Sequence, residues 1–191
     1  MKPTRVYLAG PFFNDAQVKL IEAAELLLDH HSIPYFSPRK MDLNGKPTTT
    51  QPSKETAGAI FRKDYEEICK STHVLAIMDW SMNPGTCLRV CREPAWGEVP
   101  SDRQPGGKMM ALHEVLSGHI AFPDSGTVWE MGCAYALRVP VYLLTANPTA
   151  RLNLMLSQSA RGVLYGLVKL DAFLAAGLNE DLLEEWKGEH R

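Results

Sequence analysis

The chain has 191 residues, 45% of them hydrophobic and 22% charged, and its 20 Lys and Arg stand against 22 Asp and Glu for a formal charge of -2. That is ordinary globular composition, long enough for one well-packed core, and it excludes collagen-like and disordered classes. Without a basic excess, nucleic-acid binding is not the main task.

No apolar run approaches the ~20 residues of a spanning helix, and the N-terminus opens on a strand pattern and not on a basic-then-apolar leader. No membrane association is expected, and the expected location is the cytoplasm. Cys69, Cys87, Cys91 and Cys133 are too few and too irregular for a disulfide framework, so free thiols are the default. Cys87 and Cys91 lie four apart with His113 and His119 downstream. A zinc site usually shows tighter pairs such as Cys-x2-Cys, and two loop thiols are the plainer reading, so no metal is expected.

Residues 5–10, Arg-Val-Tyr-Leu-Ala-Gly, read as a short buried strand stopped by Gly10-Pro11. From Asp15 to His30, Val18, Leu20, Ile21, Ala24, Leu27 and Leu28 recur at helical spacing, with Asn14 or Asp15 as N-cap. Ile33 to Ser37 gives a second short strand, and Met41 to Lys54 a polar surface loop. A second helix is expected from Ser53 or Lys54 to Cys69, with Ala57, Ile60, Tyr65 and Ile68 inward, and a third strand from His73 to Asp79, followed by Trp80.

The stretch from Ser81 to Phe122 is punctuated by Pro84-Gly85, Pro94, Gly97, Pro100 and Pro105-Gly106-Gly107. It reads as a long loop-rich insertion with a short helix around Lys108 to Leu116. Order returns with a helix over Asp124 to Leu137, capped by Ser125 or Thr127, and a fourth strand over Pro140 to Leu144. Asn153 to Ser157 is loop or short helix. Gly162 to Tyr165 and Leu167 to Leu170 are short apolar runs, and Asp171 to Lys187 reads as an amphipathic terminal helix. Strands alternating with helices give an α/β class: one domain over 1–191, a doubly wound (Rossmann/flavodoxin-like) parallel sheet flanked by helices, with the insertion at about 81–122.

In such a sheet ligands sit outside the C-terminal strand ends. Gly10-Pro11-Phe12-Phe13 follows the first strand, Asp79-Trp80 the third, and Asp124 to Glu130, with Ser125 and Gly126, opens the helix before the fourth. Glycine, aromatic rings and several carboxylates with few cations suit a flat, neutral, polar-edged ligand such as a nucleobase on a sugar. Neither a Gly-x-Gly-x-x-Gly fingerprint nor a Gly-x4-Gly-Lys-Ser/Thr loop is present, which counts against NAD and ATP.

Asp124 and Glu130 can point into one pocket from one segment. Two carboxyls in different environments can divide labour, one ionised as nucleophile and another protonated as acid, as glycosidic cleavage requires. Each residue alone has a plainer reading. Asp124 would be a cap, Glu130 a complement to the helix dipole, Tyr7 core, Asp64 a solvated face residue, Asn153 a turn residue, and Phe12 and Phe13 a cover over the first strand.

Taken in order, Tyr7-Leu-Ala-Gly-Pro-Phe-Phe13, Asp64 ahead of the third strand, Asp124-Ser-Gly-Thr-Val-Trp-Glu130-Met-Gly-Cys-Ala-Tyr-Ala and Asn153-Leu-Met155 resemble the nucleoside 2-deoxyribosyltransferase family. The resemblance spans nearly the whole chain apart from 81–122. It implies that Glu130 attacks the anomeric carbon of a 2'-deoxynucleoside to form a covalent deoxyribosyl-enzyme, oriented by a hydrogen bond from Tyr7. It implies further that Asp64 and Asp124 bind the base edge and help protonate its leaving nitrogen. Phe12 and Phe13 would line the base pocket with Gly10, Ser125 and Gly126 among the substrate contacts. Asn153 and Met155 would reach the sugar of a neighbouring subunit in a homo-oligomer, and no cofactor is implied.

Two other readings stand beside it. The hydrolase branch of the superfamily cleaves nucleoside 5'-monophosphates and tends to carry serines where this chain has Asp124 and Asn153; Ser125, Arg151 and Arg161 are the residues that would favour it. A carboxylate at Asp124 repels a phosphate dianion by about a kcal/mol or more at an effective dielectric of ~20. The third reading is a non-catalytic nucleoside-sensing domain. Some relatives also place a C-terminal aromatic residue and its carboxylate at the site, whereas this chain ends Trp186-Lys-Gly-Glu-His-Arg191, and no such role is carried over.

Overall fold

In a computed structural model of the chain the described residues are 2–41, 53–78, 123–148 and 152–188. The chain divides into two compact units, Met1–Asp79 with Pro123–Arg191, and Trp80–Phe122; every described residue belongs to the first. The expected 41–54 loop falls outside the described residues except at its ends. So do Asp79, Trp80, Arg151 and the whole 81–122 insertion with Cys87, Cys91, His113 and His119.

Five strands form one parallel sheet: β1 (Val6–Ala9), β2 (Tyr35–Phe36), β3 (His73–Ile77), β4 (Val141–Thr145) and β5 (Gly162–Tyr165), in the order β2-β1-β3-β4-β5. Strands β1, β3 and β4 are continuous apolar runs because both faces of the sheet are covered. Helices α1 (Asp15–His30), α2 (Lys54–Lys70), α3 (Ser125–Ala136), α4 (Leu154–Ser159) and α5 (Leu167–Ala175) intervene. This is a flavodoxin-like α/β fold, whose chain reverses its direction of growth between β1 and β3. That reversal opens the crevice in which such sheets hold their ligands.

Alternation along each strand assigns the two faces. Val6, Leu8, Leu75, Ile77, Tyr142, Leu144 and Leu164 pack with Ile21, Ala24 and Leu28 of α1 and Leu170, Phe173 and Leu174 of α5 into one apolar core. The opposite face carries Tyr7, Val74 and Val141, which lie side by side in register, then Ala9, Ala76 and Leu143. Against that face lie α2, through Ile68, and α3, through Met131 and Ala134. Gly10 lets the chain leave β1 close to β3, since a Cβ there would stand 3.0 Å from Ile77 Cβ. Among the described residues no helix is long and apolar enough to cross a membrane.

Three expectations change. On α2 only Ile68 of the expected inward residues is fully buried, while Ala57 and Tyr65 are exposed and Ile60 half-buried. The face toward the sheet runs through Ile68 together with Asp64, Glu67 and Ser71, and those three polar side chains are what an apolar periodicity does not register. The cap of α3 is Asp124 and not Ser125 or Thr127, because the Asp124 carboxylate accepts the Thr127 N–H. The terminal helix expected over Asp171 to Lys187 is instead α5, which starts four residues earlier and stops at Ala175. Gly177 there adopts φ +67°, and the N–H groups of Gly177 and Leu178 close on Leu174 and Phe173 carbonyls, a Schellman stop.

Beyond that stop a 3-10 turn (Glu180–Leu182) leads to Glu184, which bridges Val163 antiparallel at the sheet edge. Gly162 makes the fit possible, since a Cβ there would meet Leu183 Cβ at 2.7 Å. Replacing Gly162 by Ala should therefore displace the terminal segment and cost about 1–3 kcal/mol of stability, read by urea unfolding, as overpacking does. An unchanged midpoint would contradict this packing.

Candidate active site

Tyr7 is fully buried in the middle of β1, on the α2/α3 face of the sheet. A phenol so placed needs an acceptor, because an unpaired buried hydroxyl is costly. Its Oη donates to Glu130 Oε1 at 2.5 Å. Phe36 of the neighbouring strand packs its ring 5.6 Å from that of Tyr7 and fixes it laterally.

Glu130 is brought to this point by the start of α3. Asp124 Oδ2 accepts the Thr127 backbone N–H at 2.8 Å and the Thr127 hydroxyl at 3.1 Å, so the helix begins at Ser125 and Glu130 falls on its second turn. Thr127 is buried, and Gly126 leaves the carboxylate its room, as a Cβ at Gly126 would stand 3.0 Å from Asp124 Oδ2. The one segment Asp124–Glu130 thus orients both acids.

Burial pushes the Glu130 carboxyl up to about 8, and the charges of Asp64 and Asp124 push in the same direction, while the hydrogen bond from Tyr7 opposes them. Burial, then the charge and hydrogen bond of Glu130, raise the Tyr7 phenol far above its ordinary range. Tyr7 therefore remains a donor at every physiological pH. Burial alone pushes Asp64 up to about 6, and its Oδ1 is buried with no hydrogen-bond partner among the described residues. An orphaned buried carboxyl oxygen is an acceptor, or when protonated a donor, held ready for something that enters.

The structure brings Tyr7, Asp64, Asp124 and Glu130 within electrostatic reach of one another. Phe12 and Phe13 follow β1 with rings stacked 5.5 Å apart; Phe12 leans on the core and Phe13 is exposed. The Phe13 N–H donates to Gln17 Oε1 and the Gln17 N–H to Asn14 Oδ1, so the cap of α1 holds this aromatic turn. Ser125 and Gly126 are exposed on the first turn of α3. Asn153 caps α4, its Oδ1 accepting the Met155 N–H at 2.8 Å, and Met155 is 75% exposed.

Arg161 lies at the strands' N-terminal ends, its N–H bonded to the Val141 carbonyl, whereas the turn carrying Phe12 and Phe13 leaves the C-terminal end of β1. Phe36 was missed in the sequence. Its signal is its place beside Tyr7 in the register of β2, which only the strand pairing reveals. A cleft of about 560 Å³ beneath β2, lined by Arg5, Tyr35, Phe36 and Lys40 among others, contains none of the four site residues.

No protein-family model matches the sequence, and no curated protein matches it. Among solved structures, a 2-deoxyribosyltransferase from Bacillus psychrosaccharolyticus superposes with a TM-score of 0.61 at 23% identity, over 92% of this chain and 96% of that one. A conserved protein from Enterococcus faecalis V583 superposes with a TM-score of 0.55 at 19% identity, over 92% and 99%. The chain shares their fold. A CMP N-glycosidase from Clostridium botulinum matches at 17% identity over 88% and 99% of the two chains, with a TM-score of 0.44.

A carboxylate that loses its donor is harder to ionise. Changing Tyr7 to Phe should move the Glu130 titration upward from about 8, read by carboxyl 13C NMR on labelled protein. A Glu130 value falling toward the ordinary carboxylate range in that variant would show that the phenol does not stabilise the charge.

Proposed function

We propose that this chain belongs to the nucleoside 2-deoxyribosyltransferase family and moves the 2-deoxyribosyl group of a 2'-deoxynucleoside to another free nucleobase. The observation that carries the reading is the Tyr7–Glu130 hydrogen bond with Asp64 beside it, unpartnered among the described residues and pushed by burial up to about 6. The likeness of fold to a 2-deoxyribosyltransferase supports it.

In the first step a Glu130 carboxylate oxygen forms a bond to C1' as the N-glycosidic bond breaks. The bonding pair leaves with the base nitrogen, which takes the proton of Asp64. The second Glu130 oxygen stays anchored by Tyr7, so the attacking atom is fixed in direction. In the second step the incoming base attacks C1', the glycosyl ester opens back to the Glu130 carboxylate, and the proton of the new base returns to Asp64. Two displacements on one centre retain the anomeric configuration.

Between Asp64 and Asp124 the proton donor is Asp64. Its Oδ1 is unpartnered and burial favours its neutral form, whereas both described hydrogen bonds to Asp124 go to Oδ2 in its capping role. Asp124 then serves as an acceptor at the base edge. Phe12 and Phe13 supply apolar faces against the ring.

The acids also select the substrate. Three carboxyls around one site disfavour a phosphorylated sugar. Arg161, a cation that would offset the repulsion, sits at the other end of the sheet, and Arg151 lies outside the described residues. An unphosphorylated nucleoside is therefore favoured over a 5'-monophosphate. Met155 and the half-exposed Leu154 at the start of α4 offer an apolar surface for a second copy of the chain, consistent with Asn153 and Met155 serving a neighbouring site.

With Asp64 near 6 and Glu130 near 8, the free site holds one proton across that interval, chiefly on Glu130, and the reactive form is the minor one in which that proton sits on Asp64 and Glu130 is the carboxylate. Below it both acids are neutral and the nucleophile is lost; above it both are charged and no donor remains. The rate kcat/KM should rise through pH about 6 and fall through about 8, the two limbs belonging to the pair.

The functional test is a panel of 2'-deoxynucleosides and their 5'-monophosphates, with and without a second free base, followed by chromatography. New deoxynucleoside formed only with acceptor present is expected, and Glu130→Ala should lower its rate about 10³-fold or more. Free base released from the monophosphates alone would move the chain to hydrolysis. Ligand binding without turnover of either would make it a sensor.

A further inference from the structure

Glu67 is a carboxylate with only 4% of its side chain exposed, one turn beyond Asp64 on the same face of α2. Three cations meet on it: Arg5 at 2.5 Å, Lys63 at 2.9 Å and Lys70 at 3.0 Å. Burial alone would push such a group up, but the hydrogen bonds from Lys63 and Lys70 and the charge of Arg5 outweigh it and hold Glu67 below its usual range. It is therefore charged whenever the protein is folded near neutral pH.

The partners of this anion connect the pieces of the site. Arg5 lies two residues before Tyr7 along the same extended chain, so both side chains leave the same face, Arg5 toward α2 and Tyr7 toward α3. Lys63 adjoins Asp64, and its Nζ stands 5.9 Å above the ring of Phe36, which in turn packs against Tyr7. The end of α2 is bound to the same strand, since Arg5 N–H donates to Thr72 Oγ1 at 2.8 Å and Thr72 N–H to the Arg5 carbonyl at 2.9 Å. The contacts close a ring: Glu130, Tyr7, Phe36, Lys63, Glu67, Arg5 and back along β1 to Tyr7.

We infer that Glu67 is a positioning residue for the transfer reaction, whose ion cluster with Arg5 and Lys63 sets where Asp64 stands relative to the Tyr7–Glu130 pair. This rests on the transferase reading for its kinetic consequence only. The polar inner face of α2 is then explained. An apolar residue at 67 could pack against the sheet, but it would give no directional link between the helix carrying the acid and the strand carrying the phenol. A proton donor displaced by about 1 Å is enough to slow such a step by about 10²-fold.

The test compares Glu67→Gln and Glu67→Asp with the parent protein, using 13C carboxyl titration of Asp64 and single-turnover release of base from a 2'-deoxynucleoside. In Glu67→Gln the Asp64 midpoint should fall from about 6 toward the ordinary aspartate range as α2 loosens and the acid becomes solvated. Base release should slow by about tenfold or more with KM nearly unchanged, and Glu67→Asp should recover part of both. An Asp64 midpoint and single-turnover rate that stay at parent values while only the melting temperature drops would reduce Glu67 to a packing role and overturn the inference. If Glu67→Gln does not fold, Lys63→Met, which removes one of the three cations, should slow base release by a smaller factor with KM nearly unchanged, and an unchanged rate would also overturn it. A parent protein that turns over no nucleoside would defeat the transferase reading, yet the Asp64 titration would still decide the positioning.

Discussion

A phenol in the middle of a buried strand has to find an acceptor, and in this fold the acceptor is a glutamate on the helix that covers the strand. The bond from Tyr7 to Glu130 is thus a condition of packing and, in the proposed transfer, the orientation of the nucleophile. Burial makes the carboxylate harder to ionise, and the phenol partly restores its charge. The same desolvation keeps the phenol protonated, so Tyr7 keeps the O–H that it donates to the Glu130 carboxylate. Much of the rest of the α2/α3 face follows from the need to place other groups around this pair.

The two faces of the sheet divide the work. Beneath, α1 and α5 close a largely apolar core around Leu8, Leu75, Ile77, Leu144 and Phe173, which holds the strands in register. Above, α2 and α3 pack through few apolar residues and many polar ones, with Ile68, Met131 and Ala134 as their apolar anchors. Polar packing on that side costs desolvation, and it is tolerated because Glu67 finds three cations and Asp124 finds the N–H and hydroxyl of Thr127. Asp64 Oδ1 is buried without a hydrogen-bond partner among the described residues, as is Arg5 Nε beside Glu67, and of the two only Asp64 stands beside the Tyr7–Glu130 pair.

Much of this was legible in the sequence, and the failures share a cause. The strand and helix alternation, the boundaries of α1, the positions of Tyr7 and Glu130 and the acid-rich strand ends can all be read from apolar periodicity and from turn residues such as Gly10-Pro11. What periodicity cannot register is a helix that buries charge. Periodicity therefore assigns the inward face of α2 to Ala57, Ile60, Tyr65 and Ile68, of which only Ile68 is fully buried, and passes over Asp64 and Glu67. The end of α5 was missed because Gly177 with Leu178, both at positive φ, outweighs the amphipathic pattern that continues past it. Phe36 was missed because β2 is two residues long and its importance lies in its pairing with β1, a relation no local pattern carries.

The account stands or falls on Glu130 forming a bond to the sugar. The most direct measurement is mass spectrometry of the acid-quenched protein after mixing with a 2'-deoxynucleoside and no acceptor base, followed by peptide mapping of any adduct. A single 2-deoxyribosyl ester on the peptide carrying Glu130, lost when a free base is added before the quench, is the predicted result. Turnover of the nucleoside with the adduct on another residue, or with none at any quench time, would contradict the role given to Glu130 and to the phenol that orients it.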